Sequence, residues 1–254
     1  MPGGESTIHL NLKRLAIGWA QTQGFHIAAP EVSAPSLGGC RLDAAAYRPE
    51  HGPGSKKVER LGVTAIFECK QARADFLRDS RSREAILERL RKLHERKLVY
   101  EESMKLYYPT LRNGDCLFPD LDSYRFESSD YEPYNNLVAE IATLSRRLHA
   151  QTKFARLLQW RAANLHYVVA EPDVAQPHEL PVGWGLLIRR EGALELAVPA
   201  VWQDASEEQR WALLLRIAIS GTKTGSLWLE ERCGVGKSEA RTTNAVETRN
   251  QNDE

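Results

Sequence analysis

Apolar residues recur at helical spacing from Leu10 to Thr22, where Leu10, Leu12, Leu15, Ala16 and Trp19 share one stripe and Gly24 ends the run. Phe25 to Ala29 is short, stops at Pro30, and predicts a strand that leads into a Ser- and Gly-containing turn over 33–39. Cys40 to Tyr47 predicts a second strand. Pro49, Gly52, Pro53 and Gly54 mark a loop, and Gly62 to Lys70, rich in β-branched and aromatic residues, predicts the strongest strand of the chain. Beyond Gln71 the period becomes helical, with Ala74, Phe76 and Leu77 followed by Ile86, Leu90 and Leu93 in a charged stretch. From Tyr107 to Asn136 prolines, Asn113-Gly114 and several tyrosines predict an irregular ordered excursion. A long helix is expected from Asn136 to Trp160, pairing with the one before the excursion. Then come a strand at Asn164 to Ala170, a hairpin of Trp184 to Arg189 with Ala193 to Val198 turning at Glu191-Gly192, and a short helix at Trp211 to Ile219.

This alternation predicts an α/β protein with a mixed sheet. The core is expected from residues 1–79 and 161–222, with a helical insertion over 80–160 and a disordered polar tail over 233–254. A chain of 254 residues can bury a full core. Its 34 basic and 34 acidic residues cancel, so no global field announces nucleic acid, although local basic patches remain open. Cys40, Cys69, Cys116 and Cys233 form no CxxC pair, which argues against structural zinc or a disulfide framework and for reduced cytoplasmic thiols. Nothing resembles a secretion signal, and no run of about eighteen apolar residues occurs, so no membrane association is expected.

Chemistry concentrates at the end of the best strand. Side chains alternate there, so Glu68 and Lys70 share one face while Phe67 and Cys69 point into the core. If the preceding strand pairs as a hairpin, Asp43 falls opposite Glu68 on the same exposed face. Magnesium prefers hard oxygen ligands and is commonly held by one or two carboxylates plus substrate phosphate and water. Asp43 and Glu68 are therefore candidate metal ligands, with the Cys69 backbone carbonyl as a further oxygen. Lys70 would orient an attacking water or stabilise the charged phosphorane. Gln71 is a secondary candidate, against the reading that it caps the next helix. The Cys69 thiol reads as packed rather than nucleophilic.

These residues, Asp43 and then Ile66-Phe67-Glu68-Cys69-Lys70 followed by a helix, resemble the PD-(D/E)XK nuclease superfamily. The closer resemblance is to bacterial MmcB-like DNA repair proteins, through Ala72-Arg73-Ala74-Asp75-Phe76-Leu77, Asn164 to Val169, and Leu180 to Leu187. The resemblance implies a restriction-endonuclease-like α-β-β-β-α-β core, magnesium or manganese, and endonucleolytic cleavage of DNA in repair or in restriction of foreign DNA. The superfamily often draws another acid from its first helix. His9 to His26 holds neither Asp nor Glu, so Glu31 or Glu5 would have to substitute. The alternative is a nuclease fold that has lost catalysis and serves as a DNA-binding module or scaffold.

Lys56, Lys57, Arg60, Arg73, Arg78, Arg81 and Arg83 bracket the site in sequence and are candidate phosphate contacts, unless Glu84, Glu88, Glu95, Glu101 and Glu102 simply balance them as a solvated surface. The tyrosines of the excursion could stack bases, but read better as packing for an irregular loop. Gly234-Val235-Gly236-Lys237-Ser238 resembles a phosphate loop, yet its first glycine would fall on Glu231 and no apolar helix follows. His166 alternates with Val168 and Ala170 and reads as structural. DNA is the expected partner, and a homodimer is an open candidate.

Overall fold

The architecture was obtained as a computed structural model, which describes residues 5–34, 39–51, 58–76, 83–108, 112–113, 123–150 and 152–233. A helix α1 (Thr7–Thr22) precedes three strands, β1 (Ile27–Ala34), β2 (Cys40–His51) and β3 (Val58–Lys70), and a single turn α2 (Arg73–Phe76). The insertion holds α3 (Arg83–Tyr107), the two-residue strands β4 (Arg112–Asn113) and β5 (Ser123–Tyr124), and α4 (Glu132–His149). The chain closes with α5 (Lys153–Gln159), β6 (Leu165–Ala170), β7 (Gly185–Arg190), β8 (Ala193–Val198) and α6 (Glu207–Cys233). One six-stranded mixed sheet runs β1-β2-β3-β6-β7-β8, with β3, β6 and β7 parallel and the other neighbours antiparallel.

Both faces of this sheet are covered. On one side Leu12, Ala16 and Ala20 of α1 pack on Ala44, Ala65, Phe67 and Val169. On the other, Leu157 of α5 and Leu213 and Ile217 of α6 pack on Ala45, Ile66 and Val168. Double coverage explains why Ala44, Ala45 and Ala46 are all buried and why β6 reads as a continuous apolar run. Leu10, expected on the inner stripe of α1, is instead 40% exposed. No helix among the described residues is long and apolar enough to cross a membrane.

Several boundaries differ from expectation for identifiable reasons. β1 runs through Pro30 because it is an edge strand, where a missing N–H removes no needed ladder bond. β2 likewise continues through Pro49, with a register irregularity between Arg48 and Glu50. The helix expected from Asn136 to Trp160 is two helices. Thr152 caps α5 by accepting the Ala155 N–H, and the break turns Phe154 and Leu157 into the core. α6 does not stop at Ile219 but continues to Cys233, and within it the Thr222 and Thr224 hydroxyls donate to the Ala218 and Ser220 carbonyls. The β7–β8 hairpin turns at Glu191 and Gly192, both with positive φ, as a two-residue turn requires. α3 and α4 pair, with Arg89 on Glu140 and Tyr134 donating to Glu101. Tyr100, Tyr124, Tyr131, Tyr134 and Phe126 pack together around Met104. The tail over 234–254, with its glycine-lysine segment, lies outside the described residues.

Candidate metal-dependent site at the end of the central strands

The β2–β3 ladder runs to the pair Ala44 and Phe67 and stops, although both strands continue. One further step of that register sets Asp43 against Glu68. Instead of a backbone rung, the Cys69 N–H donates to Asp43 Oδ2 at 2.8 Å. In an extended strand a residue's N–H and C=O project to the same side. The Cys69 carbonyl therefore also faces the β2 edge, beside the Asp43 carboxylate. The Cys69 N–H thus joins Asp43 to the strand that carries Glu68, although the Asp43 side chain meets His9 and Lys13 of α1 while Glu68 meets Lys153 of α5, so the expected shared face is not what the contacts show.

The expected exposure of Glu68 is wrong: the residue is 1% exposed. β3 is covered on both faces, and the side of Glu68 and Lys70 is roofed by α5. Burial, with the Asp43 charge adding to it, pushes the Glu68 carboxyl up to about 7, even though Lys153 Nζ stands 2.6 Å from Oε1 and opposes the rise. The wholly buried neighbours Ile66 and Phe67 contribute roughly 2 kcal/mol each. Their burial offsets what the confined acid costs. Lys153 also donates to the Arg41 carbonyl of β2, so its ammonium bridges the diverging ends of β2 and β3.

Asp43 sits in a different field. Burial alone would raise its pKa, but hydrogen bonds from His9 (3.3 Å) and the Cys69 N–H, with the Lys153 charge, hold it below the usual carboxylate range. His9 is raised in turn, chiefly by that bond to Asp43. Lys13, nearly buried on α1, pairs with Glu5 and Glu31 and lies 3.7 Å from Asp43 Oδ1. Glu31 reaches Lys13 because its backbone takes a left-handed φ of 56°. That kink places Ala29 and Val32, three residues apart, on the same face. Glu5 and Glu31, the proposed substitutes for an acid on α1, therefore do reach the neighbourhood of Asp43, but as partners of Lys13, and of Arg41 for Glu31.

The remaining residues divide. Lys70 shares the Glu68 side but does not pair with it; its ammonium lies 5.5 Å above the Phe154 ring, and among the described residues it makes no ion pair. Gln71 accepts from the Ser6 hydroxyl, which also caps α1, and so ties the strand end to the helix start. The Cys69 thiol is buried and pushed well above its ordinary pKa by that burial. Arg73 is held by the buried Glu179, with Nη1 2.9 Å from Oε2. Arg60 is the ladder partner of Glu50 near the start of β3, ten residues and so roughly 33 Å of extended strand from Lys70. Lys56, Lys57, Arg78 and Arg81 lie outside the described residues, and of Arg83 only its place at the start of α3 is described. His166 is fully buried against Trp184 and pushed down to about 3 by burial, as a neutral core residue.

Sequence reasoning missed His9, Lys13 and Lys153. Lys13 did carry a signal, a charge between Leu12 and Ala16 on the buried face of α1. Among the described residues no three His, Cys, Asp or Glu side chains converge as a ready cage. The donor set of two carboxylates and a backbone carbonyl nevertheless suits a hard divalent ion that keeps water ligands.

No family model matches the chain and no curated protein matches it. Among solved structures it is similar to the SPO1766 protein of unknown function from Silicibacter pomeroyi, at 16% identity over 93% of this chain and 99% of that one, with a TM-score of 0.48. A likeness of that degree carries no functional argument.

Proposed function

We propose that the chain is a metal-dependent DNA endonuclease of the PD-(D/E)XK type, in which Asp43, Glu68 and the Cys69 carbonyl hold magnesium or manganese and Lys70 assists attack on the phosphodiester. The observation that carries this reading is the Asp43 carboxylate seated on the Cys69 N–H, which joins the acid of β2 to Glu68-Cys69-Lys70 of β3. The element order α1-β1-β2-β3-α2, then β6 after the insertion, supports it.

A bound divalent ion would supply charge stabilisation on the scissile phosphate and acidify a coordinated water. Asp43, ionised across the neutral range, gives a permanent negative oxygen pair. Glu68 becomes fully anionic only above about 7. Lys70, without an acid partner among the described residues, is the cation free to lie against the attacking water or a phosphate oxygen. The low-dielectric roof of α5 strengthens each of these interactions. Labelled duplex, single-stranded and branched DNA, incubated with magnesium or manganese, test the reading. Cleavage by the wild type, its loss in Lys70→Ala, and retained DNA binding in that variant are expected; full activity of Lys70→Ala would sink the mechanism.

A second reading, a nuclease fold that binds DNA without cutting it, is favoured by one observation: lysines already stand beside both acids, Lys13 by Asp43 and Lys153 by Glu68. It predicts DNA retention and no cleavage with either metal.

A further inference from the structure

We infer that Lys153 is a resident counter-ion of the site, and that a divalent ion reaches Glu68 only by displacing its ammonium. The inference rests on the metal-site reading above and adds to it a control on occupancy. Lys153 Nζ lies 2.6 Å from Glu68 Oε1 and donates to the Arg41 carbonyl, so it collects oxygens from β3 and β2 in the gap where their ladder ends. The Asp43 carboxylate accepts the Cys69 N–H from the β2 side, and in an extended strand the Cys69 carbonyl projects to that same side. A positive charge ligated by oxygens of both strands is what a metal ion would be there. An ammonium and a dication cannot share Glu68 Oε1 in a buried setting, because their repulsion is weakly screened.

The geometry permits displacement without unfolding. Phe154 and Leu157 anchor α5 in the core, and Thr152 caps it, so the Lys153 backbone is fixed. The side chain itself is 28% exposed, which leaves the four-carbon stem a path to solvent. Glu68 has no comparable freedom, being walled by Ile66, Val168 and the α5 roof. Among the described residues Lys153 is its only ion-pair partner. Lys70, over Phe154, is spared this role. The two lysines on one side of the sheet therefore act oppositely, one closing the metal position and one left for substrate.

When the binding-competent state is only partly populated, the apparent Kd is the intrinsic Kd divided by the competent fraction. Removing the ammonium removes that penalty. The test titrates manganese into chelator-treated full-length protein at pH 8 by calorimetry, comparing wild type with Lys153→Met, Lys153→Gln, Lys153→Arg and Glu68→Gln, each checked for folding by circular dichroism. Lys153→Gln keeps a donor for Glu68 and Arg41 and serves if the methionine variant does not fold. Both neutral variants are expected to bind manganese about tenfold or more tightly than wild type. Lys153→Arg should stay near wild type, and Glu68→Gln should bind most weakly. Equal affinity in wild type and the neutral variants overturns the inference while leaving the metal site standing. No binding in any of the proteins overturns the metal-site reading and the inference with it.

Discussion

Replacing Glu68 by Gln should make the metal-free protein more stable at alkaline pH and remove part of its pH dependence. The carboxyl is raised from 4.5 to about 7, first by burial and then by Asp43. Between those two values the folded state keeps a proton on Glu68 that the unfolded chain has released. Stability therefore falls as pH rises through that window, and the full loss is present above about 7. At about 1.4 kcal/mol for each tenfold change in the proton equilibrium, the loss is about 3 kcal/mol. Other groups titrate nearby. His9 is raised by Asp43, so its contribution also fades as pH rises. His166, pushed down to about 3, acts in the opposite sense, destabilising the fold as pH falls below its ordinary value. Both are present in wild type and variant alike. The informative quantity is the difference between the two proteins, measured by urea unfolding with tryptophan fluorescence from pH 5 to 8.5 in the presence of chelator. Relative to wild type, Glu68→Gln should gain about 3 kcal/mol between the ends of that range, or roughly 6 to 12 °C in Tm for a chain of this size. A difference that stays flat with pH would show that Glu68 is not a confined, protonatable acid and would refute the burial argument.

Two further substitutions test the frame around the site. A Cβ on Gly62 would lie 2.0 Å from the Arg48 carbonyl oxygen and 2.7 Å from the Glu50 nitrogen, both backbone atoms at the irregularity in β2. Gly62→Ala should cost about 3 kcal/mol, read as a lower urea midpoint; a loss under about 1 kcal/mol would mean that the strands are not so close. Thr152→Ala deletes the acceptor for the Ala155 N–H and the hydroxyl that donates to the His149 carbonyl at 2.8 Å. It should cost about 1 kcal/mol, with Thr152→Ser nearly neutral, and equal losses in both variants would argue against a capping role.

What the chain announced, and what it hid, divides along a physical line. Glu68 and Lys70 were placed on one side of β3 by strand alternation, and Asp43 was placed near Glu68 by the hairpin; these are consequences of neighbours in sequence. The β7–β8 turn was legible for the same reason, whereas the parallel pairing of β3 with β6 joins residues such as Ala65 and Leu165 across the whole insertion and is no neighbour effect. Pro30 misled because a proline breaks an interior strand but not an edge strand, and edge position is a property of the assembled sheet. The long α6 was shortened by glycine and threonines whose hydroxyls bond within the helix, which hydropathy does not register. The burial of Glu68 was misread because its cover, α5, was expected as the end of a single straight helix. That error concealed Lys153 as well. A buried carboxylate needs a nearby cation, yet the chain holds 34 lysines and arginines, and the one that answers lies on a helix begun by a threonine cap, 85 residues from Glu68. Lys13 reaches Asp43 by the same kind of helix-to-sheet packing. The acids of such a site are written along the strands, whereas the cations that set their charge are supplied by tertiary contact. Metal affinity and pH response are therefore properties of how α1 and α5 dock, and the substitutions at Lys153 address the part of the site that strand patterns cannot reveal.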